Sequence, residues 1–231
     1  MDDLAQAVDT AFRLLATGDR GLFEIIALSL QVNLTAVAVA AAIALPVGAA
    51  LALYHFPGRR PISILISALM GLPPVVVGLL VYLTLSRSGP LGVFALLYSP
   101  TAMIIAQVVI VTPIIASLTR QTIEQLWEHY SELLRSLGAA PGRALPTLLW
   151  EGRVSLITAI LVGLGRAMGE VGAVMVVGGN IDHVTRVMTT AIALETSRGD
   201  LPLAMGLGMV LMTLSLIINA SAFGLRRVIG D

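Results

Sequence analysis

The chain has 231 residues, 57% of them hydrophobic and 12% charged, with a mean hydropathy of +0.92 and no formal net charge. That composition lies outside the soluble range and marks a membrane protein, and balanced charge without like-charge blocks excludes a nucleic-acid partner gripped through its phosphates. There are no cysteines, and all fourteen basic residues are arginine, which removes disulfides, thiolate metal sites, cysteine nucleophiles, lysine Schiff bases and the lysine of a P-loop.

The chain opens on MDDLAQAVDT, acidic where a secretory signal needs a basic start, so the N-terminus is expected to be mature. Within residues 1–23, Leu4, Val8, Phe12 and Leu15 form a short helical stripe expected to lie in the outer membrane interface. A spanning helix needs about 20 apolar residues. Five stretches qualify: Ile25–Tyr54, Pro61–Leu85, Pro100–Thr119, Val154–Gly178 and Pro202–Phe223. Continuous apolar runs of this length satisfy their backbone as helices, not as alternating barrel strands. The expected fold is therefore an all-α integral membrane protein, one domain over residues 1–231 with five transmembrane helices.

With the N-terminus outside, the cytoplasmic connections hold Arg59, Arg60, Arg120, Arg135, Arg143, Arg153, Arg226 and Arg227, against Arg13, Arg20, Arg87, Arg186 and Arg198 outside. The positive-inside rule then sets an N-out, C-in orientation.

The second stretch carries GLPPVVVG, residues 71–78, at its centre. Pro73 and Pro74 remove two donors, so the helix should break or kink there, and irregular backbone at that depth is tolerated where it is buried in protein or lines a cavity. Gly71, Pro73 and Pro74 are therefore candidate pathway residues. A plain proline kink and a half-helix starting at Pro74, its amides turned to an anion, are both compatible with the sequence.

The connection 120–151 is more than a loop. Ile123, Leu126, Trp127, Tyr130, Leu133, Leu134 and Leu137 recur at three and four residues, one face of an amphipathic helix that Gly138 would end and Pro141 restart. An interfacial linker and a docking element for a cytoplasmic partner both fit.

In the fourth stretch Arg166 and Glu170 stand four apart, neighbours on one helical face. Each charge near mid-membrane costs about 2.5–3.5 kcal/mol, so both must face protein, water or each other. A pair that pins two spans and a pair that lines a route both satisfy this. Gly163, Gly165, Gly169, Gly172 and Ala173 leave the helix thin, and Gly165 with Gly169 makes a GxxxG step for close helix packing.

The outer connection 179–201 contains Val187–Leu194, apolar enough either to cover the bundle or to enter the mouth of a pathway. Histidines 55, 129 and 183 fall outside the spans, and neither an HExxH motif nor a buried aspartate pair exists. No acid, base and nucleophile assemble, so the chain is not expected to be an enzyme and needs no cofactor or metal of its own.

Glu132 and Gly138, in ELLRSLGAAPGRAL, occupy positions that resemble the EAA-xxx-G loop of bacterial ABC importer permeases, with Leu133 and Leu134 where the motif has alanines and Trp150 and Glu151 at its leucine-proline. GLPPVVVGL, LSRSGPLG, GRAMGEVGAVMVVGGNI and TRVMTTAIALETSRGD, in this order, resemble the sulfate, molybdate and tungstate branch of that family. The last of them is most similar to tungstate permeases, and the resemblance runs from about Phe23 onward.

The resemblance implies a type I importer core in the prokaryotic inner membrane, working as a homodimer that carries an oxyanion. It also implies two ATP-binding subunits holding ATP-Mg and an extracytoplasmic oxyanion-binding protein as partners. Ser131, Glu132, Arg135, Gly138 and Arg143 would belong to the coupling helix, Arg166 and Glu170 to the route, and Asn180, Arg186, Thr189 and Thr190 to an outer loop that meets the binding protein. The alternatives are a secondary transporter driven by an ion gradient and a structural subunit of a membrane complex. Five spans without an evident repeat count against the first.

Overall fold

In a computed structural model, residues 20–136 and 138–230 are described; the expected interfacial stripe of Leu4, Val8, Phe12 and Leu15 lies outside them, as does Leu137. The helices are α1 (Arg20–Leu53), α2 (Arg59–Leu69), α3 (Pro74–Leu85), α4 (Pro100–Ser136), α5 (Pro141–Glu151), α6 (Arg153–Met168), α7 (Gly172–Gly178), α8 (Met188–Arg198) and α9 (Leu201–Gly230), with a 3-10 turn at Gly92–Phe94 and no strand among the described residues.

The axis of the molecule is the pair α1 and α4, and a small-residue ladder explains it. Ala36, Ala40, Ala44, Gly48 and Ala52 recur every fourth residue and are all buried. In hydrocarbon, helices associate by close van der Waals packing, which small residues permit. The approach is tightest at Gly48, where a Cβ would stand 2.5 Å from the Ala116 carbonyl oxygen and 2.8 Å from Thr119 Cβ.

Helix α4 has 37 residues, about 55 Å at 1.5 Å per residue, and so outruns a hydrocarbon core of about 30 Å. The expected third span and the amphipathic segment after it are thus one rod. No breaker separates Thr119 from Ser136, and Pro113 is accommodated within the helix. The projecting end carries the apolar stripe, but α5 folds back and covers it. Ile123, Leu126, Trp127, Tyr130 and Leu134 pack with Ala144 and Leu148 of α5 and with Ala49, Ala52 and Leu53 at the end of α1.

Among the described residues three helices are long and apolar enough to cross a membrane, α1, α4 and α9 over Leu201–Ser221, and the spans number up to five if each sharply bent pair counts as one. The second expected stretch is no single rod: α2 and α3 meet at 105°. The fourth is interrupted too, α6 ending at Met168 and α7 starting at Gly172. Helix α5 meets α6 at 73°. Two main clusters fill the bundle, one joining α3, α4 and α7 around Val77, Met103 and Val177, the other joining α1, α4 and α6 around Val37, Ile115 and Leu164. Helix α9 turns Met212, Leu216 and Ile217 outward, an apolar face suited to lipid.

Candidate functional site

The first helix break follows from its local sequence, and the second combines local sequence with a distant partner. Pro73 and Pro74 cannot donate to the preceding turn, so α2 closes with Gly71 N–H to Ala68 and Leu72 N–H to Leu69, and Pro74 becomes the first residue of α3. At the other break, glycines at 163, 165, 169 and 172 lower the helical preference, and the Glu170 side chain offers the backbone a partner. Glu170 Oε1 accepts the Ala173 N–H at 3.1 Å, at the start of α7, while its Oε2 stands 3.1 Å from Arg166 Nη1. Its carbonyl accepts the Thr189 hydroxyl at 2.9 Å, and Gln107 Nε2 donates to the Ala167 carbonyl at 3.4 Å. The expected single helical face for Arg166 and Glu170 is therefore corrected. The ion pair forms across the end of a helix, and the carboxylate is used twice, once for charge and once as a cap.

The two breaks lie side by side. A Cβ on Gly172 would stand 2.6 Å from Val75 Cγ2, and one on Gly78 would stand 2.7 Å from Ala173 Cα. The glycines let α3 and α7 touch backbone to backbone, which brings Pro74 and its neighbours beside Glu170.

Within the break the two charges differ in access. Glu170 is 4% exposed and Arg166 35%. Beyond the ion pair, the Arg166 guanidinium makes no hydrogen bond among the described residues, so most of its five donors are free for another acceptor. Gly165 and Gly169 are exposed beside it, with open space where a Cβ at Gly165 would point. This corrects the expected use of the GxxxG step: within this chain close packing falls to Gly163, Gly172 and Ala173 on the other side, and the 165/169 face is left open. Gly71 and Pro73 are exposed as well, and Pro74 is half-buried.

Sequence reading passed over the polar groups that surround these breaks. Ser29, Asn33 and Gln107 are buried, and with Met168 and Thr189 they line a small cavity of about 10 Å³. Gln107 Oε1 is buried with no partner among the described residues. The signal was present as single polar residues inside otherwise apolar runs. In a membrane each such residue needs a partner.

The outer connection enters the bundle. Met188, Thr189, Thr190 and Ala191 of α8 are buried, and Met188 N–H donates to the Ser29 hydroxyl at 2.8 Å. The Thr190 hydroxyl exchanges hydrogen bonds with Val187 and the Thr189 hydroxyl goes to Glu170, so both expected contact residues are engaged inside the chain and withdrawn from the outer surface. Asn180, in the left-handed region at φ 50°, donates to the Thr190 carbonyl, and Arg186 pairs with Asp182 at 2.7 Å. What faces outward is Ile181–Val184. There His183 Nδ1 lies 2.7 Å from Glu24, and this contact, with the charges of Asp182 and Glu24, holds the imidazole above its ordinary pKa.

At the opposite end, α4 closes in a Schellman motif. Gly138 at φ 74° donates to Arg135 at 2.9 Å and Ala139 donates to Leu134 at 2.8 Å. Ser131 is half-buried; Glu132, Leu133, Arg135, Gly138 and Arg143 are exposed around this apex, and the Arg135 guanidinium lies 5.7 Å from the Trp127 ring. The hairpin sits close because Gly142 admits the Tyr54 hydroxyl, 2.8 Å from where a Cβ would be. Among the described residues no three His, Cys, Asp or Glu side chains are grouped to hold a metal.

The profile of the family described as binding-protein-dependent transport system inner membrane component matches residues 25–230. The chain is 40% identical to the tungstate uptake system permease protein TupB of Peptoclostridium acidaminophilum, over 98% of this chain and 100% of that relative. It is 38% identical to a probable anion ABC transporter permease protein of Haloferax volcanii, over 90% and 93% of the two chains. More distant is the sulfate transport system permease protein CysT of Salmonella typhimurium, at 30% over 77% and 68%. With its paired helix breaks, its half-open arginine and a profile match that spans nearly all of its described length, the chain belongs to the family of inner-membrane components of binding-protein-dependent transport systems.

Proposed function

We propose that this chain is the permease subunit of an ATP-driven importer of tungstate, and that two copies form the pathway, each with five membrane-crossing segments over the single domain 1–231. The N-terminus lies outside and the C-terminus in the cytoplasm. Two ATP-binding subunits hold ATP-Mg beneath the pair, and an oxyanion-binding protein delivers cargo above. The observation that carries this reading is Arg166, a guanidinium 35% exposed on an open glycine face beside two adjoining helix breaks. Such a group offers an anion several donors, while Glu170 keeps it from being a bare charge in the membrane. Irregular backbone at Gly71, Pro73 and Pro74 suits a cavity wall. The substrate is taken from the name of the relative at 40% identity.

Ser131, Glu132, Arg135, Gly138 and Arg143 form the contact with the ATPase through the exposed apex, since the apolar stripe behind them is already covered by α5. Asn180 and Arg186 shape the outer loop, whose exposed tip meets the binding protein. The test is reconstitution of this chain with its ATPase and binding protein in vesicles. Uptake of tungstate that requires ATP and is abolished by Arg166→Ala, in a variant that still assembles, supports the reading. Normal uptake by that variant, or uptake by the chain alone on an ion gradient, overturns it.

A further inference from the structure

A second basic site stands apart from Arg166, at the end of the bundle that carries the 131–143 apex. Helix α2 begins with Arg59 and Arg60 and has no acidic residue in its first turn. Cations at a helix N-terminus oppose the backbone dipole, an arrangement that an anion close by would offset. Arg59 is committed elsewhere: its Nε and Nη2 reach the Leu51 and Ala52 carbonyls at the end of α1, at 2.5 and 3.1 Å, and Nη2 meets Glu124 at 2.6 Å. Arg120 shares the same carboxylate at 3.1 Å. Arg60 is exposed and has no partner among the described residues. One carboxylate thus pairs with two of the three guanidinium groups, leaving a surplus of two positive charges.

These groups line a cavity of about 390 Å³ together with Ser63, Ile64 and Ser67. That volume is in the range of small-ligand sites, about 300–1,000 Å³. Ser63 is 9% exposed, yet its hydroxyl makes no hydrogen bond among the described residues. Ser29, Thr112, Thr158 and Thr213, also within helices, each donate to the carbonyl one turn back, whereas the buried Ser117 and Thr119 hydroxyls of α4 have no partner among the described residues. Ser63 lies one turn after Arg59 and makes no such bond, so its hydroxyl, on the wall of the cavity, is left for an occupant.

We propose that this cavity binds a tetrahedral oxyanion of phosphate type, carried on a lipid headgroup or free in solution, with Arg60 and Ser63 as its donors and Arg59 and Arg120 supplying field. Glu124 offsets one of the three positive charges and leaves the rest of the field for the anion. That the site faces the cytoplasm rests on the orientation proposed above; that it binds an anion does not.

The test uses the purified full chain in phosphatidylcholine nanodiscs, with and without phosphatidylglycerol, and inorganic phosphate as the free probe. Lipid retention is read by native mass spectrometry and phosphate binding by calorimetry. Arg60→Gln removes an exposed, unpaired side chain and is expected to fold, which a melting curve checks; Ser63→Ala is the second variant. Selective retention of phosphatidylglycerol, weakened about tenfold or more by Arg60→Gln, supports the site with a lipid source. Phosphate binding in phosphatidylcholine discs, weakened in the same way, supports it with a free source. Absence of both, or binding unchanged in both variants, overturns the proposal. Tungstate uptake measured in parallel separates this from the transport reading, because uptake that survives with no anion bound here leaves that reading standing.

Discussion

Removing Arg166 and Glu170 singly and together separates holding from transporting. Arg166→Gln leaves a carboxylate that is 4% exposed without its cation. Breaking a buried pair from one side costs about 3–5 kcal/mol, and the 35% exposure of Arg166 places this case near the lower end, about 3 kcal/mol. Glu170→Gln keeps an oxygen that can still accept the Ala173 N–H, and its orphan is an arginine that reaches open space, so about 1 kcal/mol is expected. The double variant removes both charges and should recover about 2 kcal/mol of the arginine variant's loss, the signature of a coupled pair. On the scale of a 231-residue chain, 3 kcal/mol corresponds to about 6–12 °C in melting temperature. Melting of the purified protein reads the coupling, and vesicle uptake reads transport. The transport role requires the double variant to be stable and inactive. Uptake at the unmodified rate would refute that role, and an Arg166→Gln protein that melts like the parent would refute the burial argument.

Four further outcomes are expected. Gly78→Val and Gly48→Val should each fail to assemble or melt well below the parent, because their side chains would meet Ala173 Cα at 2.7 Å and the Ala116 carbonyl at 2.5 Å, and overpacking against backbone costs at least about 1–3 kcal/mol; size-exclusion profiles check this. Gly138→Ala should cost only about 1 kcal/mol, from the left-handed backbone alone, since nothing lies within 4 Å of the added methyl; Gly138→Asn should recover part of it in a melting curve. Thr185→Val removes a hydroxyl that donates to Gly178 at 2.6 Å and accepts from Ile181 at 2.9 Å, a loss of about 1–3 kcal/mol that hydrogen exchange at Ile181 should reveal. The His183 pKa is raised in the folded chain by Glu24, so its contribution to holding the outer loop is fully present below the unfolded value near pH 6.5 and fades as pH rises through the folded value. Loop protection should therefore fall on the alkaline side, and His183→Gln should remove that dependence.

Several parts of the site were legible in the chain. Pro73 and Pro74 announced a break because a missing N–H is a covalent fact, and the structure starts α3 at Pro74. Gly138 announced a helix end because only glycine takes φ 74° without strain, and the Schellman bonds are there. The break at Gly169–Val171 was not legible: Arg166 and Glu170 have the spacing of helical neighbours, and helical and interrupted backbones both permit that contact. What tips the balance is Thr189 accepting the task of satisfying the Glu170 carbonyl from 19 residues away.

By itself the sequence determined that the protein lies in a membrane, that it is helical, and that charge at mid-depth must be compensated, because hydropathy and backbone hydrogen bonding act locally and without knowledge of neighbours. Tertiary structure alone decided which faces are closed and which open. The amphipathic stripe after Arg120 could have met a partner protein or its own chain, and α5 settles on it; Thr189 and Thr190 could have faced outward, and they turn in; Gly165 and Gly169 could have packed against another helix of this chain, and they do not. Each of these depends on contacts between residues far apart in sequence, whose free energies are set by complementary shape once the helices meet.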